Sequence, residues 1–418
     1  MQGKAISDMA HISIGENIRT VRKMRGYTVR QLAAKTAIGV STLEKYEAGT
    51  RNPVPAVVAA LARALSVGPE VLNGQPYFNS TEADERIQAV IPDLRRVLAT
   101  YDSPDDLAVP SRPLPVLAAE TERVSRMRQN AAYVTMGHVL PALLSELTHA
   151  ALENGGDDQK EAFWWLARGY RAANSLAHKL GYSDLSNTAL ERFRWAADRS
   201  GDMHMQVTAA YLRAGMLLRL GAFDSARRIL SGLVDEIDRL APEASLTEPL
   251  TALRGAVMLK LAVVEARDGR QDAAGVLLDE AAEVAALHGG QDTDHYEMAF
   301  GPTNVLIHRF SILAEEDAEQ ALARLEEWAA EQRNAEWVLP VGIAAERSSH
   351  HYIDVAAAQL ARADRGASFA SLRRAEALAP AHTRFHPSVR HTTESLVRAD
   401  RTDNSDLAAF ARWVGVAS

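Results

Sequence analysis

The side chains able to engage a polyanion gather in the first 75 residues. Arg30 and Gln31 stand beside Thr28 at the start of one helical segment. Val40, Ser41, Thr42, Glu44 and Lys45 open the next, and Arg51 and Asn52 follow it. Hydroxyls, a carboxylate and an ammonium on one short helix can hydrogen-bond base edges, while guanidinium groups around it hold phosphates. Residues 1–75 carry ten Lys/Arg against five Asp/Glu, or +5, in a chain of net charge −8, so the rest holds −13. A small basic module on a large acidic body points to a polyanion partner for the module alone.

Signals for other chemistry are weak. The 418 residues contain no cysteine, which excludes disulfides, thiol catalysis and Cys-ligated zinc. His295, His308, His350, His351, His382, His386 and His391 make seven of the thirteen histidines. The spacing His382-x3-His386 raises zinc, but Pro380 and Pro387 bracket the pair, no acid lies between them and no H-E-x-x-H occurs. Structural histidines and no metal are expected. P-loop, G-x-S-x-G and dinucleotide fingerprints are missing, and Gly289-Gly290 follow no strand pattern. No catalytic residue, cofactor or enzyme activity is expected. The stretch Met1–Glu16 has no apolar signal region, and no run of about 18 apolar residues occurs. A cytoplasmic protein away from membranes is the expectation.

The elements that must position these groups read as helices. With 47% hydrophobic and 24% charged residues the composition is that of a folded protein, and its length calls for more than one domain. Ile14, Ile18 and Val21 stripe a first helix that stops at Arg25-Gly26. Thr28-x-x-Gln31 is a capping box opening a second, ending near Thr36. A turn at Ala37-Ile38-Gly39 leads into a third, Val40–Glu47. Pro53 and Pro55 precede a fourth, Val57–Leu65, and Pro69–Leu72 closes the unit.

Two short helices joined by a three-residue turn inside some 60 helical residues describe a helix-turn-helix. The segment TVRQLAAKTAIGVSTLEKYEAGTRNP resembles that of the phage-repressor-like XRE family: Ala33 at the helix crossing, Leu32 and Leu43 in the core, Val40 and Ser41 opening the recognition helix, then Glu47-x-Gly49-x-Arg51-x-Pro53. The family often has glycine where this chain has Ala37; a left-handed alanine there costs about 1 kcal/mol. In that geometry Val40, Ser41, Glu44 and Lys45 face the major groove, with Thr42 nearer the backbone. Arg30, Gln31, Arg51 and Asn52 contact phosphates, joined by Arg22, Lys23 and Arg25.

Beyond Leu117 the chain is again helical. A junction of the form Leu220-Gly221-Ala222-Phe223-Asp224-Ser225-Ala226 has relatives at Gly181, Gly269 and Gly366, with a further pair centred near Glu315–Ala318. These resemble turns between the two helices of tetratricopeptide repeats, at a longer period. First helices of the pairs are expected at about 158–179, 202–220, 246–268, 302–313 and 340–364. The expected fold is all-α: a five-helix lambda-repressor-like helix-turn-helix domain at 12–75, a linker with one helix (82–100) at 76–116, and a tetratricopeptide-like α-solenoid at 117–418. The whole resembles actinobacterial XRE-type regulators with such a C-terminal domain, sharing segments such as Pro141–Thr148, Ala299–Asn304 and His350–Asp354.

Related regulators sense signalling peptides, so the resemblance implies an effector site. Trp164, Trp165, Arg168, Arg171 and Asn174 on the first repeat helix are its candidates, followed by Arg213, His308, Arg347, His350 and His351. The expected function is a transcriptional regulator, homodimeric on a double-stranded DNA operator and responsive to a small molecule or peptide. The alternative is an antitoxin-like or scaffold regulator whose repeat groove holds a protein partner.

Overall fold

In a computed structural model, the described residues are 13–77, 86–107, 110–240, 247–287, 290–334, 336–340, 342–400 and 404–416. They divide into two compact units. The first comprises residues up to 80, the short segment 219–222 and everything from 309 onward. The second holds 81–218 and 223–308. The division at 308/309 falls inside the span expected as one repeat domain, and the expected linker helix lies in the second unit.

Five helices open the first unit: α1 (Ile14–Met24), α2 (Val29–Thr36), α3 (Val40–Glu47), α4 (Pro55–Leu65) and α5 (Pro69–Asn73). Ile18, Leu32, Leu43, Leu61, Leu65 and Leu72 are fully buried in their shared core. Capping fixes the starts. Thr28 and Gln31 form the expected reciprocal box, and Ser13 with Glu16 forms a second one that the sequence reading passed over. Ala37 is left-handed (φ 54°, ψ 23°), as the turn requires. Gly15 lets α1 lie against the end of α3; a Cβ there would sit 2.4 Å from the Tyr46 carbonyl oxygen.

The second unit contains α6 (Ile91–Ala99), α7 (Leu114–Gln129), α8 (Tyr133–Glu153), α9 (Gly156–Lys179), α10 (Ser183–Ser200), α11 (Met203–Arg219, whose last residue falls in the first unit), α12 (Phe223–Leu240), α13 (Glu248–Arg267) and α14 (Gln271–Ala286). Helix α6 covers the C-terminal part of the expected 82–100 helix, of which residues 82–85 lie outside the described residues. It buries Ile91, Leu94 and Leu98 and packs on α8 and α10. Helices α9 and α10 pair across Gly181 (φ 82°), and α13 and α14 across Gly269 (φ 81°), as the junction pattern predicts. After α14 an antiparallel bridge pairs Thr293 with Phe300 around the turn His295–Glu297. Gly255 on α13 makes room for Phe300, whose ring carbon would lie 1.9 Å from a Cβ at that position.

Helix α15 (Pro302–Glu316) contains the 308/309 division, and α16 (Ala318–Glu331), α17 (Ala345–Ala361), α18 (Arg365–Leu378), α19 (Pro380–Phe385), α20 (Pro387–Ala399) and α21 (Ser405–Val414) complete the first unit. Ile353, Leu372, Val389, Leu396 and Phe410 form their core. The five first-of-pair helices begin and end within a few residues of expectation. One junction differs. The left-handed residue between α17 and α18 is Ala363 (φ 63°), whereas Gly366 lies in the first turn of α18, because Asp364 caps that helix on the Ala367 N–H. No strand occurs among the described residues, and no helix there is long and apolar enough to cross a membrane.

Candidate nucleic-acid interface and a buried polar face

The start of α3 carries its polar groups outward. Val40 (38% exposed), Ser41, Glu44 and Lys45 are exposed, and Thr42 is half-buried. Gly39 occupies the N-cap and supplies no side chain to the first N–H groups. Arg30 is exposed at the start of α2, and exposed Gln31 is spent in part on capping: its Oε1 accepts from the Thr28 N–H at 2.8 Å. Arg51 is exposed, with its guanidinium 5.9 Å from the Tyr46 ring centre.

Two expected phosphate contacts go elsewhere. Arg22 is buried and donates to both carboxylate oxygens of Glu47, at 2.5 and 2.7 Å, and to the Tyr27 carbonyl at 2.8 Å. Its pKa is raised by the Glu47 hydrogen bonds. Arg25 donates to the carbonyls of Leu65 and Ser66, at 2.8 and 3.0 Å, and so closes the end of α4. The spacing of basic residues showed charge, not direction. A buried acid at the end of α3 draws Arg22 inward.

Asn52 is also engaged within the first unit. Its amide donates to the His391 carbonyl and to Ser395 Oγ, both at 3.2 Å, while Arg398 donates to the Gly49 carbonyl. Helix α20 therefore holds the turn that follows α3.

In the second unit, the residues expected to meet an effector converge on the chain's own 294–298 turn. Tyr296 (φ 51°) and Glu297 (φ 56°) are consecutive left-handed non-glycine residues, a costly backbone that its surroundings must over-determine. Buried Arg171 donates to the Tyr296 and Glu297 carbonyls at 2.5 and 2.7 Å. Arg128 lies 2.6 Å and Arg168 3.2 Å from the Glu297 carboxylate, which also accepts from Ser125 Oγ at 2.7 Å. Burial pushes the Glu297 carboxyl up, but the guanidiniums of Arg128, Arg171 and Arg168 outweigh it and hold it well below the usual carboxylate range. Burial lowers Arg171 to about 10.

Beside this turn, Trp164 and Trp165 pack edge to face, and Arg168 lies over both rings. Trp164 Nε1 and Tyr296 Oη donate to Asp202 Oδ2 at 2.8 and 2.9 Å. Asn174 donates to the carbonyl and hydroxyl of Ser186. Arg168 and Arg171 thus share one face with Trp164; Glu297, Arg128, Ser125 and Asp202 are members the sequence reading missed. The remaining candidates take no part in these contacts. Arg213 is exposed on α11, and His308 Nδ1 lies 2.8 Å from the Asn304 carbonyl. Arg347 and His350 are half-buried on α17, and His351 is buried between Phe310 and Trp337, where burial pushes its pKa down to about 3.

Two short helices crossing at a left-handed turn, the second with outward polar side chains, make the N-terminal part a helix-turn-helix domain on an otherwise helical chain. Residues 13–73 match the family described as a helix-turn-helix domain, which bears out the expected XRE-type resemblance. Over 90 residues the chain is 36% identical to RghRB, an uncharacterized HTH-type transcriptional regulator of Bacillus subtilis (strain 168); the match covers 21% of this chain and 59% of that protein. The chain therefore spans less than two thirds of this relative. Among solved structures it is similar to BtubC from P. vanneervenii, with TM-score 0.33, 17% identity, and coverage of 65% of this chain and 91% of that one. It is also similar to Bacillus thuringiensis PlcR in complex with the peptide PapR7 and DNA, with TM-score 0.30, 12% identity, and coverage of 86% and 98%.

Proposed function

We propose that this protein is a cytoplasmic, sequence-specific DNA-binding transcriptional regulator that acts as a homodimer. The observation that carries this reading is the exposure of Val40, Ser41, Glu44 and Lys45 on a helix whose far end is held by Arg22 and Glu47. Rigid presentation of a few polar groups is what major-groove readout needs. One such domain makes few base contacts, so two copies are needed for useful affinity. Selection of genomic fragments by the full chain at about 150 mM salt tests it, since that salt suppresses non-specific binding. A recovered palindrome with half-sites about one helical turn apart is expected; recovery of random sequence would overturn the reading.

The helical body senses a small effector or peptide bearing a carboxylate. In support, Arg128, Arg168 and Arg171 surround a carboxylate that the chain itself supplies on a strained turn. An acidic ligand can compete with Glu297 for those guanidiniums, and it alters DNA binding only through unequal affinity for the two states. Glu297→Gln, which weakens the internal competitor, is expected to bind such a ligand more tightly in calorimetry. Equal or weaker binding would remove this face from consideration.

A further inference from the structure

Three histidines from separate elements of the first unit converge at one point. His350 lies on α17, His382 on α19, and His386 is the N-cap of α20. One potential ligand atom from each lies within 4.8 Å of the others. The planes of His350 and His386 meet at 71°, those of His382 and His386 at 75° and those of His350 and His382 at 35°, with ring centres 5.1, 5.4 and 5.7 Å apart. One nitrogen of each imidazole is therefore near a shared point.

We propose that His350, His382 and His386 bind one late first-row divalent metal ion, with Zn2+ as the reference ion. Three neutral nitrogen donors without thiolate suit zinc, nickel or copper rather than magnesium or calcium. Bonds of about 2.0–2.1 Å to a tetrahedral zinc would draw the nitrogens about 1.5 Å closer than that upper limit, a side-chain adjustment. Outer contacts of the kind that orient metal ligands are present. Ser349 Oγ lies 3.3 Å from His382 Nδ1 and 2.9 Å from Thr383 Oγ1, so His382 can donate from Nδ1 and turn Nε2 to the metal. Asp354 Oδ2 lies 3.9 Å from His350 Nε2, placing a carboxylate beside the site. His386 Nδ1 accepts from the Ser388 N–H at 3.2 Å, a long bond that ligation through that atom would replace. Three protein ligands leave a coordination position for water or a further donor.

The bracketing prolines, which argue against one helix bearing both His382 and His386, are what make the site. Pro380 opens α19 and Pro387 opens α20, so the chain bends between the two histidines and both reach His350. The ion would also tie down the N-cap of the helix whose Ser395 and Arg398 hold Asn52 and Gly49.

Untagged full-length protein, stripped with chelator, should take up one equivalent of Zn2+ with submicromolar affinity against a chromophoric competitor, and Co2+ should give the intense visible absorption of a four-coordinate site. His350→Ala, at a half-buried position, should weaken Zn2+ binding at least 10-fold with the helical circular dichroism unchanged. His382→Gln should do the same; as His382 is buried, the result from His350 decides if that variant unfolds. A triple His350→Ala, His382→Ala, His386→Ala protein that still binds the same equivalent, or wild-type protein that binds none below millimolar Zn2+, would overturn the site.

Discussion

Arg22 of α1 and Glu47, the last residue of α3, form a two-point ion pair in the core of the helix-turn-helix domain, with hydrogen bonds of 2.5 and 2.7 Å. Each side chain is less than a tenth exposed. The pair joins α1 to the end of α3, and Arg19 adds a bond to the Glu47 carbonyl at 3.0 Å. Glu47→Ala leaves a buried guanidinium unpaired and is expected to destabilise the protein by about 3 kcal/mol in urea unfolding of the full chain. Replacing both, as Arg22→Met with Glu47→Leu, should recover most of that loss, because no buried charge is left behind. A double variant no better than the single would show that the pair is not the source.

Ala37 adopts the left-handed conformation that favours glycine. It is exposed, so its methyl group contributes no packing. Ala37→Gly should raise stability by about 0.5–1 kcal/mol, the relieved backbone strain exceeding the greater chain entropy of unfolded glycine. Thermal unfolding of the two proteins side by side checks the sign.

On DNA, the exposed groups separate by role. Ser41→Ala with Lys45→Ala should lower affinity for the preferred sequence by about 1–3 kcal/mol per lost base contact and leave random DNA little affected. Arg51→Ala should weaken binding to every sequence and reduce the salt slope by about one. Asn52→Ala should leave the salt slope alone, since its amide is bonded to His391 and Ser395. Titrations at several salt concentrations distinguish the three; unchanged selectivity in the first variant would refute the assignment of α3.

Glu297 sets a pH dependence. Its carboxyl, held below the ordinary 4.5 in the folded chain, returns there on unfolding. The unfolded state then binds the proton first, so the stabilisation is complete above about pH 4.5 and is lost as the pH falls below it. Glu297→Gln should cost about 3 kcal/mol at pH 7 and show a shallower loss of stability between about pH 5 and 3. Thermal unfolding across that range checks it; parallel curves for variant and wild type would rule out this carboxylate as the source.

Much of the fold was legible because its signals are local. The Thr28–Gln31 box, the prolines opening α4 and α5, the glycines after α9 and α13, and the apolar spacing of Ile14, Ile18, Leu32 and Leu43 each act within a turn or two of chain. Helix starts, stops and inward faces follow from such neighbours. The exposed set on α3 was legible for the same reason, since a short helix with Leu43 inward must turn Ser41, Glu44 and Lys45 outward.

The sites depend on partners far away in sequence, where spacing is silent. Arg22 read as a surface cation because Glu47 lies 25 residues on. The tryptophan and arginine face of α9 read as an open ligand surface because the turn carrying Glu297 arrives more than 120 residues later. Proximity of His382 and His386 was visible, but their prolines argued against a shared face, and nothing local placed His350 between them. Capping and periodicity act along the chain, whereas ion pairing, burial and ligand convergence act through space. Helical content and the outward polar face of α3 thus follow from neighbours along the chain, whereas packing across the fold settles which charges are paired inside and which histidines meet.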